Sequence, residues 1–385
     1  MANRYLRGQY SNITSTSSWS ATDGGPTGAS VPTSADDVFV TNLTGLTANY
    51  QGMFAPSMNT LLNCKSFTVT QTTYKFNIDY SGYWDDGDNW NSYVIINSYG
   101  DVTFNSQVNA GTNDCRIQFS GSGSMNFTSS GVGMAGITVA GGGTLNLLDN
   151  VTGYILADSV WVILISKGII NFGSGTHVLG ELRTLNTVAG QTIGVNLGSS
   201  NITTYGTWFL NYSYYASGCS SFVGGTSTVT VKIPNGNIGY QPSIYGTNIS
   251  FNNFIIDSSV STMAFLNDAA SSVPTFSFNN FTFHAGQTIG TWGGGTYTFA
   301  NPPTQIGTSP MSYIWQQQGT GANTIWSCPS TITLNNVDVR RNTASGAGIP
   351  FHALSGSTID GYSVNWDTSA GTTSPHLLSL MGCGT

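Results

Sequence analysis

Charge is what this chain has least of. Ten Lys and Arg stand against 17 Asp and Glu in 385 residues, so 7% of positions carry a formal charge, where a soluble domain ordinarily has about 25%. Hydrophobic residues make up 39%, aromatics 12%, and the net charge is only −7, which excludes the polar, highly charged kind of chain that stays disordered. Glu181 is the only glutamate; with so few strong helix formers, long amphipathic helices are not expected. The basic residues are scattered, Arg340-Arg341 being the only adjacent pair, so no nucleic-acid surface is expected either.

Long apolar runs are also missing. The greasiest stretch, Val160 to Ile165 (VWVILI), has six residues bracketed by Asp158 and Lys167, whereas a membrane helix needs about 20. The N-terminus MANRYLRGQYSN has no apolar core of the Sec kind, so export by that route is not expected. Five cysteines (Cys64, Cys115, Cys219, Cys328, Cys383) never form C-x-x-C. Neither a disulfide framework nor a structural zinc site is implied, and they read as small buried hydrophobes. No P-loop, dinucleotide fingerprint or nucleophile elbow occurs, and no cofactor is expected. His177, His284, His352 and His376 are isolated and read as ordinary strand or loop residues.

What is abundant is glycine, at 48 residues, together with Ser, Thr and Asn, the material of strands and turns. It is organised as a repeat. Gly-x-apolar-(Thr/Asn)-(Phe/Leu) occurs at Gly100–Phe104, Gly123–Phe127, Gly143–Leu147 and Gly168–Phe172, with steps of 23, 20 and 25 and a shortened echo at Gly194–Leu197. A second pattern, apolar-(Asn/Asp)-(Asn/Gly)-apolar, occurs at Phe251–Phe254, Phe278–Phe281, Leu334–Val337 and Ile359–Tyr362, with steps of 27, 56 and 25.

A period near 25 with short alternating strands and Gly/Asn corners suits stacked β-coils, each too small to bury its own inner face. Each Gly or Asn is expected to take the left-handed conformation at a corner. The fold expected is all-β, a parallel β-helix or related β-solenoid, of roughly 13 coils and about 60 Å at the 4.8 Å strand spacing. A sandwich or jelly roll is the competing architecture, although it does not need corners at a fixed step. The expected divisions are an N-terminal capping or anchoring module at 1–48, a first stack at 49–203, a second at 204–366 where the corner pattern changes, and a tail at 367–385. Leu377 to Met381 in that tail either closes the last coil or docks on a neighbour.

The first residues add a resemblance. Ala2-Asn3-Arg4-Tyr5, then Trp19-Ser20-Ala21-Thr22 and Val31-Pro32-Thr33-Ser34-Ala35-Asp36-Asp37-Val38, resemble the opening module of tailed-phage virion surface proteins, which carry Gly/Thr/Asn-rich β-repeats behind it. Ser18 precedes Trp19 where an asparagine is common in that module. The resemblance implies a particle component assembled in the host cytoplasm, such as a head decoration, spike or tail fibre. It also implies contact with other capsid or tail proteins, homotrimeric assembly and no catalytic residues. The alternative is a receptor-binding tailspike that binds or hydrolyses a host surface polysaccharide. A secreted adhesin is a third reading, opposed by the N-terminus.

Three places invite chemistry. Asp85, Asp86 and Asp88 in WDDGDNW offer oxygens to a hard cation, but a solvated Asp/Gly turn explains them as well, and no metal site is expected. Asp338 and Asp360, near Arg340, Arg341 and His352, invite comparison with the paired carboxylates of glycan hydrolysis. Aligning the corners sets Asp360 opposite Asn335 and Asp338 opposite Ser363, so the two do not stack and no catalytic residue is assigned. Tyr205 to Tyr215 (YGTWFLNYSYY) alternates, with Trp208, Leu210, Tyr212 and Tyr214 on one face and Phe209 and Tyr215 on the other. Trp208, Tyr212, Tyr214 and Tyr215 are the candidates for a subunit contact or a sugar-binding surface.

Overall fold

The computed structural model describes residues 2–49, 51–55, 60–80, 94–109, 115–153, 162–185, 191–210, 218–233, 242–266, 273–319 and 322–368. Each circuit of the chain lays one short strand on each of three faces. Ser124–Thr128 lies on the first face, Gly133–Met134 on the second and Gly136–Val139 on the third. The next circuit then begins at Thr144–Leu147, directly beside Ser124–Thr128 and parallel to it. The architecture is therefore an all-β parallel solenoid of the β-helix kind. A sandwich or jelly roll would pair its strands antiparallel; here, among the described strands, only Asn3–Leu6 with Trp19–Ser20 does so. The third face carries thirteen strands in one sheet, from Leu61–Cys64 to Thr358–Ile359, which at about 4.8 Å each separates its outer strands by roughly 58 Å.

Alternation fills the interior. Met125, Leu145, Ile170 and Val195 pair in register on the first face and are all buried, and burying each such side chain contributes about 1.5–3 kcal/mol. The outward residues between them are Asn126, Asn146, Asn171 and Asn196, again in register. Asn171 Nδ2 donates to Asn146 Oδ1 at 2.8 Å, and Asn146 Nδ2 to Asn126 Oδ1 at 3.3 Å. These repeat asparagines form an amide ladder on a flat face, not at a corner. The Gly100 copy is slipped by two residues: Val102 pairs with Phe127, not Met125.

Left-handed corners belong chiefly to glycine. Gly173, Gly198 and Gly225 sit at the passage from first to second face with φ of 67°, 61° and 58°. They stack so closely that a Cβ on Gly198 would lie 2.2 Å from the Gly173 carbonyl oxygen, and one on Gly225 2.0 Å from that of Gly198. Gly198→Ala is expected to cost about 2–3 kcal/mol through left-handed strain and displaced backbone, read as a shift in the urea midpoint. Gly123→Ala is the control. A Cβ there meets nothing within 4 Å, so a change within about 0.5 kcal/mol is expected.

One circuit further on, this corner changes character. Ile249–Ile256 and Thr275–His284 run unbroken from the first face onto the second. Asn252, Asn253, Asn279 and Asn280 therefore lie within strands, and none has positive φ. Asn279 Nδ2 donates to Asn252 Oδ1 at 3.1 Å and Asn280 Nδ2 to Asn253 Oδ1 at 2.7 Å, a side-chain ladder in place of a glycine turn. Asn335 is not aligned with them. It ends a second-face strand, Thr333–Asn335, and Asn336 takes the left-handed turn toward the third face, with φ 50°. The expected division at 203/204 has no counterpart in the pairing: Asn201–Thr204 pairs with Thr228–Val231, and Ile193–Asn196 with Ser221–Val223.

Residues 2–49 begin the solenoid and close its end. Trp19–Ser20 adds antiparallel to Asn3–Leu6, covering the edge of the first face. The Trp19 indole is fully buried, and its Nε1 donates to the Ile13 carbonyl at 3.1 Å. The Asp36 carboxylate accepts from the backbone N–H groups of Ala2 and Thr33 and from the Thr33 hydroxyl. At the far end Trp366 packs on Trp326 and Phe351, and its Nε1 donates to Asn342 Oδ1 at 3.0 Å. Leu377 to Met381 lie outside the described residues.

Candidate functional site

Trp208 and Leu210 face the core, both 0% exposed. Trp208 Nε1 donates to the Thr204 hydroxyl at 2.9 Å. The alternation of this stretch holds, but it turns Trp208 inward, and a fully buried indole cannot be a contact or sugar-binding residue. The outward ring is Phe209, stacked on Tyr245 with centroids 5.3 Å apart and the Arg183 guanidinium 5.4 Å above it. Tyr212, Tyr214 and Tyr215 lie outside the described residues, as do Asp85, Asp86 and Asp88.

Asp338 and Asp360 do different work. Asp338 pairs in register with Thr358, not Ser363. Asp360 lies just after the last third-face strand and folds the corner that follows. It accepts from the Arg341 backbone N–H, from Ser363 N–H at 2.9 Å and from the Ser363 hydroxyl at 2.7 Å. Its role is a corner clip rather than a rung opposite Asn335. Asp338 is nearly buried and takes two N–H groups of one guanidinium, Arg340 Nε at 2.9 Å and Nη2 at 2.6 Å. The hydrogen bond and charge of Asp338 raise the Arg340 pKa further.

Around this ion pair the third face presents exposed aromatic rings. Tyr313 and Trp315, on the strand Ser312–Gly319, are 39% and 40% exposed. They stand beside Asp338 and Arg340, with Tyr313 paired to Asp338 and Trp315 to Arg340. On the opposite side Tyr313 neighbours Thr288 and Trp315 neighbours Gly290. Two rings, a planar guanidinium and its carboxylate thus share one outward plaque. At the next corner Tyr362, 64% exposed, lies under the Arg341 guanidinium at 4.7 Å. Tyr313 and Trp315 were not singled out from sequence. The signal was there: Tyr-x-Trp and Asp-x-Arg share one parity, on strands whose middle residues, Ile314 and Val339, are apolar and buried.

Elsewhere the carboxylates hold coils and turns. Asp37 accepts from the Ser66 hydroxyl, Asp101 from the Asn126 backbone N–H, and Asp149 from the Ser129 and Ser130 N–H groups. Asp257 accepts from Ser259 N–H and lies 3.7 Å from Lys232. Its pKa falls below the ordinary value although burial opposes this, because the Ser259 hydrogen bonds and Lys232 outweigh the lost hydration. Glu181 goes the other way, raised by burial despite its ion pair with Arg183. Among the described residues no three His, Cys, Asp or Glu side chains converge on a metal geometry, and no helix is long and apolar enough to cross a membrane.

His177 is a core residue. It is fully buried, with Nδ1 accepting from Val151 N–H at 3.2 Å and Nε2 at 2.8 Å from the Phe172 carbonyl, to which it donates as the neutral tautomer. Burial lowers its pKa below the ordinary imidazole value of about 6.5, outweighing the Phe172 hydrogen bond. Below that value the unfolded chain binds a proton that the native state resists, so stability falls as pH drops. The expected loss begins near pH 6.5 and approaches about 1.4 kcal/mol per pH unit at most. Urea midpoints at pH 7.5 and 5.5 measure it, and His177→Asn is expected to flatten that interval.

No family model, curated protein or solved structure matches this chain.

Proposed function

We propose that the chain is a structural surface component of a tailed-phage particle, a head decoration, spike or fibre, acting as a stiff non-enzymatic shaft. It assembles as a homotrimer and is fixed to other capsid or tail proteins. One observation carries this reading: the third-face sheet continues through thirteen coils, in a column with a buried or half-buried indole at each end. Such a column resists bending because every rung is bonded to the next. Its sparse charge leaves few groups for salt or pH to act on. The N-terminal residues that resemble the phage module are here end-cap residues: Trp19 seals the core, and Asp36 ties the chain start to Thr33.

Antibodies raised against the purified chain test the reading by immunogold labelling of intact particles. Gold on the particle surface is the expected result, and antigen confined to the soluble fraction of lysed host cells overturns it. Sedimentation equilibrium of the purified chain is expected to give three times the monomer mass. The host-polysaccharide reading draws its support from the exposed rings beside Arg340.

A further inference from the structure

We propose that the plaque formed by Tyr313, Trp315, Asp338 and Arg340 binds an uncharged hexose oligosaccharide. The sugar rings lie on the two aromatic faces, and their hydroxyls reach the Arg340 guanidinium. The inference rests on the polysaccharide reading and not on the shaft reading, which survives its failure.

Position is the first ground. Large rings exposed beyond a third of their surface are Tyr99, Tyr313, Trp315 and Tyr362 among the described residues, and three of these four fall within the last three circuits. Exposed aromatics concentrated in one place mark a recognition surface, not scatter. Tyr313 and Trp315 are two residues apart on one strand, so their rings point to the same side about 6.6 Å apart. Gly290, beside Trp315 on the preceding strand, places no side chain against the indole.

Chemistry is the second ground and selects the ligand. A pyranose has an apolar face of C–H bonds and a polar rim. The aromatic faces suit the first, since their quadrupole attracts the slightly positive hydrogens. The guanidinium suits the second. Nε and Nη2 are committed to Asp338, which fixes the plane of the fork and leaves Nη1 without a partner among the described residues. Asp338 also cancels the Arg340 charge, so the plaque offers directed N–H donors with no net attraction for a polyanion. That favours a neutral sugar over an acidic one. Asp338 is a positioning residue, acting through Arg340.

The test titrates the full chain with cellohexaose, maltohexaose and mannohexaose as neutral probes and hexagalacturonate as the acidic one, followed by calorimetry and tryptophan fluorescence. The expected result is saturable binding of a neutral hexaose. Trp315→Ala is expected to weaken it about tenfold or more with the thermal midpoint unchanged, and Arg340→Ala to weaken it as much with a lowered midpoint, because it leaves the nearly buried Asp338 carboxylate without its partner, while Tyr99→Ala has no effect. Asp338→Asn is expected to weaken the neutral probe without abolishing it, and to remove discrimination against hexagalacturonate. Absence of neutral-probe binding, or binding that Trp315→Ala leaves intact, overturns the proposal. So does a Trp315→Ala chain that loses self-association in sedimentation while no probe binds, an outcome that assigns the plaque to a protein contact.

Discussion

Phe278→Ala is expected to lower the stability of the solenoid by about 4 kcal/mol. The ring is 2% exposed and touches rings on every side. Phe251 and Phe299 stack on it at 5.8 and 5.5 Å, on the neighbouring circuits, while Phe281 and Phe265 meet it edge-on at 4.9 and 5.4 Å. Parallel columns run beside it, Phe254 on Phe281 with planes 4° apart and Phe276 on Tyr297 at 11°. Removing one member opens a cavity that neighbours held by their own ladders cannot fill. Phe278→Leu keeps most of the volume and is expected to cost less than about 1.5 kcal/mol. Guanidinium unfolding measures both. Equal losses for the two variants would mean that ring stacking, not packed volume, holds this part of the core.

Trp19→Ala carries the second large effect, about 3–5 kcal/mol, but its expression is local. A solenoid is stabilised by nearest-neighbour contacts, so losing an end cap frays the terminal circuits without unzipping the middle. Amide exchange is therefore expected to accelerate in Asn3–Leu6 and Asp37–Val40, while Thr144–Leu147 keeps its protection. Uniform acceleration along the chain would instead make the column a single cooperative unit. Trp19→Phe fills much of the space but cannot donate to the Ile13 carbonyl. It is expected to recover all but the 1–3 kcal/mol that an unsatisfied buried carbonyl costs.

The solenoid was legible because it repeats. Gly123, Gly143 and Gly168 begin motifs whose apolar residues share a period, and in-register parallel pairing keeps Met125, Leu145 and Ile170 all inside. The N-terminal stretch stood apart from the repeat, but nothing in it marked the Trp19 indole as the ring that fills the core there. Corner identity was less legible. Asn252 and Asn335 sit in similar tetrapeptides, yet one bends a continuous strand and the other ends one, a difference set by which face the chain is leaving. Asparagine serves both, because a carboxamide bonds its copy on the next rung as readily as it tolerates a left-handed turn. Trp208 misled for a related reason. Alternation divides a strand into two faces without saying which is inside, and only the neighbouring strands, Glu181–Thr184 and Ser243–Tyr245, settle it.

Circuits of unequal length keep equal pitch. Met125 to Leu145 spans 20 residues and Leu145 to Ile170 spans 25, yet each pair stands opposite in the same ladder. Surplus residues leave the column sideways and add nothing along its axis. The molecule thus behaves as a ruler with whole-number graduations. Inserting sequence at a corner decorates it, whereas only gaining or losing an entire circuit changes what it measures.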